Sequence, residues 1–205
     1  MTEKSTNSRL EAFCDGVFAI ALTLLIIDIK IPPSTTINTT NDLWLALGHT
    51  APSVFSFLLS FVVILITWVN HHAALKLVNK TSPQFIYANA VLLLSVVFIP
   101  FPTALLGEYI FTDHAAPAVV LYSAVCGFQG IGWFLMTQTS MRPQLLAKNE
   151  KSLQAILKNR KYSIFAIAFY AAAAIVAIWL PKIVAIAISL IWVFWIIVGV
   201  NLREE

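Results

Sequence analysis

The residues able to do chemistry in this chain are few and gathered. Glu11, Asp15, Asp28 and Lys30 share one apolar run, and the pair His71-His72 stands at the end of another. A carboxylate within an apolar span is a functional candidate, because a charge at mid-membrane costs about 2.5–3.5 kcal/mol on insertion scales. Asp15 lies close to the start of its run and has two compatible readings. It serves function directly, or it is interfacial or held by a neighbouring helix for structural reasons. Asp28 and Lys30 stand near the other end of the run, within reach of water. The histidines invite a metal reading, but adjacent helical residues point roughly 100° apart. Helical metal motifs space their ligands at i and i+4, and no Cys or carboxylate cluster joins the pair. No metal site is expected. Hydrogen bonding, an interfacial location or pH dependence near neutrality suits the pair better. No nucleophile–base constellation or phosphate loop occurs, so enzyme chemistry is not expected. Cys126, beside Gly127 and Gly130, reads as a packing residue, and two cysteines offer no disulfide framework.

The elements that must position these residues follow from composition. The chain has 205 residues, of which 59% are hydrophobic and 11% charged. Globular proteins average about 45–50% and 25%. Mean hydropathy is +0.83. A soluble core could not hide so much apolar side chain, so the chain reads as an integral membrane protein. A net charge of +3 is too small and local to point to nucleic acid. Six apolar runs stand out: Glu11–Ile31, Leu43–Val69, Gln84–Leu106, Ala115–Thr139, Tyr162–Leu180 and Ile183–Asn201. Each suits a helix across a hydrocarbon core of about 30 Å. No alternating strands suggest a barrel. The opening run carries Asp15 and lacks a small-residue cleavage site, so it is not expected to be a signal peptide. The expectation is an all-α polytopic protein, residues 1–205 forming a single six-helix transmembrane domain.

Orientation follows from Lys and Arg. With six spans, one side holds both termini and the loops after spans two and four. That side collects Lys4, Arg9, Lys76, Lys80, Arg142, Lys148, Lys151, Lys158, Arg160, Lys161 and Arg203, 11 of the 13 basic residues. Lys30 and Lys182 fall on the other. Both termini are therefore expected in the cytoplasm, with the chain in the cell membrane. The segment Met141–Lys161 interleaves basic residues with Leu145, Leu146, Leu153, Ile156 and Leu157. It reads either as an interfacial amphipathic helix or as an ordinary positive-inside loop. Pro100 and Pro102 are expected to bend or end the third span. Trp44, Trp68 and Trp179 lie near span ends, where Trp suits the interface.

The first run has a regular surface. Phe13, Val17, Ile20, Leu24, Ile27 and Ile31 recur at steps of four and three, a coiled-coil-like stripe. Beside it lie the small residues Ala12, Gly16, Ala19 and Thr23, which let helices approach closely in lipid. Such a helix suits the axis of an oligomer, and equally an ordinary lipid-facing helix with one packing face.

At this point a resemblance becomes visible. Arg9-Leu10-Glu11-Ala12-Phe13-Cys14-Asp15 resembles the R-x-x-x-F-S-D signature of the transmembrane protein 175 family, the endosomal and lysosomal potassium channels and their prokaryotic relatives. Gly16-Val17-Phe18-Ala19-Ile20-Ala21-Leu22-Thr23, Trp68-Val69-Asn70-His71-His72 and the six-span length are similar too. Cys14 stands where the family usually has Ser, and a thiol is the weaker hydrogen-bond donor.

The resemblance implies a homotetramer of six-helix subunits in the lipid bilayer. The first helix of each subunit would line a pore for monovalent cations, with potassium as the permeant ion and no cofactor. It implies an apolar constriction at Ile20, Leu24 and Ile27, and a polar residue tied to potassium preference at Thr23. It also implies a motif network among Arg9, Phe13, Cys14, Asp15, His71 and His72. Thr-Val-Gly-Tyr-Gly is absent from the sequence. Apolar rings close a pore by dewetting but cannot replace a hydration shell as carbonyls do, so modest selectivity is expected. Asp28 at the outer mouth and Asp15 at the inner one could concentrate cations. The rival reading is a secondary transporter or proton-coupled carrier using Asp15 and the histidines. The paired broken helices and internal repeats common in carriers are not evident in the sequence.

Overall fold

The computed structural model describes residues 7–79, 81–141 and 147–204, with side chains described as far as residue 197. Lys4, Lys80, Arg142, Leu145 and Leu146 from the sequence reading therefore lie outside the described residues. So does the side chain of Arg203.

The described chain is all-α. Helix α1 spans Ser8–Leu24 and tightens into a 3-10 turn over Leu25–Asp28. It is followed by α2 (Thr40–His49), α3 (Ala51–Lys76), α4 (Pro83–Phe98), α5 (Pro100–Tyr109), α6 (Ala115–Ser140), α7 (Glu150–Val176) and α8 (Pro181–Glu204). Among the described residues an isolated antiparallel bridge, Val78 with Ala147, is the β contact present. Among the described residues four stretches are long and apolar enough to cross a membrane: Ser8–Asp28, Ala51–Lys76, Pro83–Tyr109 and Ala115–Ser140. A shorter apolar helix covers Pro181–Ile197.

Local chemistry sets the breaks. The run Leu43–Val69 is not one helix, because Pro52 has no N–H to continue the ladder from α2. The chain turns at Thr50 instead, whose hydroxyl bonds the Leu47 carbonyl at 2.8 Å. Helix α2 starts on a capping box, in which Thr39 Oγ1 accepts from the Asp42 N–H and Asp42 accepts from the Thr39 N–H. Asp42 also accepts from the Asn38 N–H. These backbone bonds hold its carboxyl below the usual aspartate range.

The third run divides at Ile99, because Pro100 cannot donate to the carbonyl four residues back. The Ile99 N–H bonds Val96 O at 3.3 Å. Of the segment before the fifth run, the described part is largely helical. From Glu150 it is continuous with α7, started by Asn149, whose side chain accepts from the Ser152 N–H. No Gly or Pro interrupts Glu150–Val176. Ser152 and Ile156 are buried, so this part of α7 packs on the bundle.

Helix α6 is central and packs most extensively on α7 and α4. A methyl at Gly132 would meet Leu92 Cα at 2.7 Å, so glycine sets the α4–α6 approach. Gly107 does the same for α5 against α3, where a Cβ would meet Ser53 Cα at 2.9 Å. Some polar groups in this interior are bonded to one another across helices, as small polar residues do in lipid. Ser60 Oγ lies 2.6 Å from Thr103 Oγ1 and 3.1 Å from the Tyr122 hydroxyl. Gln129 Nε2 donates to Thr67 Oγ1 at 2.7 Å.

Candidate functional site

Helix α1 meets its own bundle along one narrow line. Cys14, Phe18, Ala21 and Leu25 are buried, at steps of four, three and four, and pack into the main apolar core. The face they leave outward carries the stripe found by counting. Phe13 is 63% exposed, Ile20 60%, Leu24 39% and Ile27 61%, and Val17 is half-buried. The small residues Ala12, Gly16, Ala19 and Thr23 are exposed as well. Nothing lies within 4 Å of a Cβ built on Gly16. The α-helix stops at Leu24, so Ile27 is carried by the 3-10 turn. Ile31 lies beyond the helical stretch, which removes it from a continuous helical stripe.

Three contacts fix how α1 is rotated, all in its N-terminal half. Cys14 Sγ accepts from Asn89 Nδ2 of α4 at 3.2 Å. The Asn89 carbonyl oxygen is 2.7 Å from His71 Nε2 of α3 and accepts from it, so that nitrogen carries the proton. His71 also packs against Phe18 and Trp133, with ring centroids 5.4 and 6.4 Å away. Second, Asp15 Oδ1 accepts from the indole N–H of Trp68 at 2.8 Å, a charge-assisted bond. Third, Glu11 Oε1 approaches His72 Nδ1 at 3.5 Å, too far to make a hydrogen bond, and His72 stacks on Trp68.

The structure therefore brings Cys14, Asp15, His71 and His72 to one α1–α3–α4 junction but divides them into separate contacts. The two histidines diverge, one to Asn89 and the other towards Glu11. Phe13 belongs to the outward stripe rather than to this junction. Arg9 is exposed and forms no ion pair among the described residues. Asp28 is half-buried at the far end of the 3-10 turn. Trp68, expected near the interface from its place at a span end, is the hydrogen-bond partner of Asp15. Among the described residues no group of three or more His, Cys, Asp or Glu gathers in one place.

Asn89 is the residue the sequence reading missed. Its signal was present: one amide in the apolar stretch Phe85–Phe98. Attention to charged residues alone passes over it. Thr23 Oγ1 donates to its own helix at Ile20 O, 2.9 Å away, which leaves the oxygen's lone pairs outward as acceptors.

Comparison with known proteins gives this geometry a context. A family model described as the endosomal/lysosomal potassium channel TMEM175 matches residues 9–100, from the start of α1 through α4. A potassium channel of Chamaesiphon minutus is 46% identical over 123 residues, 60% of this chain and 60% of that protein. A potassium channel of Streptomyces collinus is 42% identical over 135 residues, 63% of this chain and 64% of that protein. The matched segments thus span less than two thirds of these curated relatives. The crystal structure of a lysosomal potassium-selective channel TMEM175 homolog from Chamaesiphon minutus superposes with a TM-score of 0.81 at 32% identity. That match covers 96% of this chain and 99% of the other. Sequence signature, fold and near-complete coverage agree: the chain belongs to the TMEM175 family of multi-pass membrane ion channels, and not to a family of enzymes.

Proposed function

We propose that this chain is the subunit of a homotetrameric potassium channel in the cell membrane. Four copies of α1 surround a central pore with an apolar constriction. The observation that carries this reading is the face of α1. It buries one line against its own subunit and leaves Phe13, Ile20, Leu24 and Ile27 outward beside a strip of small residues. The apolar stripe faces the axis, and the strip Ala12-Gly16-Ala19-Thr23 receives the neighbouring copy. Ile20, Leu24 and Ile27 form the constriction, Thr23 adds an oxygen acceptor beside it, and Asp28 gathers cations at the mouth. The Asn89, Trp68 and His72 contacts hold α1 at the rotation this requires. Potassium is the permeant ion, and no cofactor takes part. Purified protein in liposomes should pass potassium faster than sodium, and chemical cross-linking should yield four-chain species. Potassium impermeability of assembled protein, or transport that saturates as a carrier's does, would reject the reading.

The proposal includes one six-span unit over residues 1–205 with both termini cytoplasmic, supported by the 11-to-2 distribution of basic residues. Here α7 and α8 supply the last two spans. Thr36, in the exposed turn before α2, falls outside, and Asn149, at the start of α7, falls inside. A cysteine at Thr36 should react with an impermeant thiol reagent applied to whole cells, and one at Asn149 only after the membrane is opened. Reversed labelling overturns the orientation.

A further inference from the structure

At the end of the bundle where α6 finishes and α7 begins, one cation lacks a counter-ion. Arg160 of α7 is half-buried and stands two residues before the apolar run that opens at Tyr162. With α7 as a span, this is the edge of the hydrocarbon rather than open water. The guanidinium carbon lies 5.4 Å from the ring centroid of Phe134 on α6, so one face of the cation rests on an aromatic face. Arg160 forms no ion pair among the described residues, and its Nε is buried without a hydrogen-bond partner. Nε alone of its guanidinium nitrogens is sealed in this way, so the two terminal nitrogens are the ones that reach the surface. Glu150, the acidic residue of α7, stands ten positions earlier, about 15 Å along the helix at 1.5 Å per residue. It accepts from Gln154 instead.

Around this cation the two helices form a groove. Gly127 faces Tyr170, Gly130 faces Ile167 and Phe134 faces Arg160, so α6 and α7 run antiparallel. They approach closely, since a Cβ on Gly130 would meet Ile167 Cγ1 at 3.0 Å. On α6, Ile131 lies three residues before Phe134 and Gln138 four after it, on the same face. On α7, Ile164 lies four residues after Arg160, again on the same face. Ile131, Gln138 and Ile164 are exposed, and so is Lys161 beside Arg160. Polar and charged groups therefore stand at the mouth, with branched apolar ones a turn deeper. That is the order of a phospholipid's headgroup and acyl chain. Helix α1 packs on α3 and α4 rather than here.

A half-desolvated cation without a counter-ion calls for an anion. A phosphodiester suits it, because the guanidinium fork can bond two phosphate oxygens at once. Basic pockets between transmembrane helices hold anionic headgroups in this way. The apolar part of the groove favours a lipid over a free anion, which would gain nothing from Ile131 and Ile164. We propose that the α6–α7 groove at Arg160 is a binding site for one anionic phospholipid, its phosphate held by Arg160, Lys161 and Gln138 and an acyl chain lying between Ile131 and Ile164. The site rests on α7 being a span but not on conduction. Its test reads neither flux nor labelling, so its failure leaves those results standing.

The test uses full-length protein in detergent, titrated with phosphatidylglycerol and with phosphatidylcholine of the same acyl chains. Native mass spectrometry counts the lipids retained per chain. The first phosphatidylglycerol should bind about tenfold more tightly than phosphatidylcholine. Arg160→Gln should abolish that preference while the far-ultraviolet circular dichroism stays unchanged. Lys161→Gln alters an exposed position, leaves the fold intact and should weaken the preference about threefold. Lys151→Gln removes the same charge from another exposed position of α7 and should leave it unchanged. Inorganic phosphate should not displace the lipid. Equal retention of the two lipids would overturn the proposal, as would equal losses in Lys151→Gln and Arg160→Gln, which mean a diffuse attraction. Displacement by inorganic phosphate would overturn it in favour of a free anion. So would an undiminished preference in folded Arg160→Gln protein or, where that variant does not fold, in Lys161→Gln.

Discussion

Leu24→Ala is expected to raise potassium flux through reconstituted protein at least about tenfold, which corresponds to roughly 1.4 kcal/mol off the barrier, and to lower the preference for potassium over sodium. The reason is solvation. A ring of branched side chains gives water and ions no hydrogen bonds, so a narrow apolar passage stays dry and resists ions. Truncation widens the passage and wets it. Leu24 is 39% exposed and points away from its own bundle, so its loss removes little packing within the subunit. Ile27→Ala should act in the same direction, but Ile27 sits on the 3-10 turn, where its ring need not stack as the helical ones do. Thr23→Val keeps nearly the same volume and removes the outward oxygen, so it should lower selectivity with less effect on pore width. Leu22→Ala is the control. Leu22 packs against the core, and its truncation should cost stability and change conduction less. Parallel potassium and sodium fluxes for the four variants decide the matter. Equal effects at Leu22 and Leu24, or none at any stripe position, would mean that α1 does not line the pore.

Asn89→Leu should lower the thermal midpoint of the purified protein and the yield of assembled channel. Asn89 is 1% exposed and joins His71 to Cys14. Replacing its amide by an apolar group leaves the His71 N–H buried and unpaired, a cost of about 1–3 kcal/mol. The loss falls where α1 is held, so it should appear in assembly as well as in subunit stability. Asp15→Asn is the informative companion. Its side-chain oxygen can still accept from Trp68 Nε1, with the charge assistance gone, so it should lose less stability than Asn89→Leu. Its effect on assembly should exceed its effect on ion preference. A stable, well-assembled Asp15→Asn channel with strongly altered selectivity would move Asp15 out of the structural junction and into the ion path. An Asn89→Leu protein as stable as the native one would remove the His71–Asn89–Cys14 chain from the account of how α1 is held.

Much of the architecture was legible because lipid simplifies the code. Backbone polar groups must be satisfied internally in a bilayer, so apolar runs of the right length can be read as helices, and those beginning at Glu11, Gln84 and Ala115 begin close to where helices form. The period of the first run was also sufficient to isolate Phe13, Ile20 and Leu24, because α1 is regular over Ser8–Leu24. Hydropathy does not register the breaks at Thr50 and Ile99. They come from missing proline N–H groups and from the turn closed around each of them, while the neighbouring side chains stay apolar.

By itself the sequence determined the membrane class, the all-α architecture and the existence of an apolar stripe on α1. Composition and helical period are one-dimensional properties that survive any packing. Only the tertiary structure decided the partners. Asn89 reaches Cys14 across 75 positions of chain and Trp68 reaches Asp15 across 53. No local spacing encodes such pairings, because they exist only once α1, α3 and α4 lie side by side. The same packing assigned the two adjacent histidines to different partners and put Cys14, rather than its neighbour Phe13, inside. A helix shows every face in its sequence, and only its neighbours determine which faces are covered.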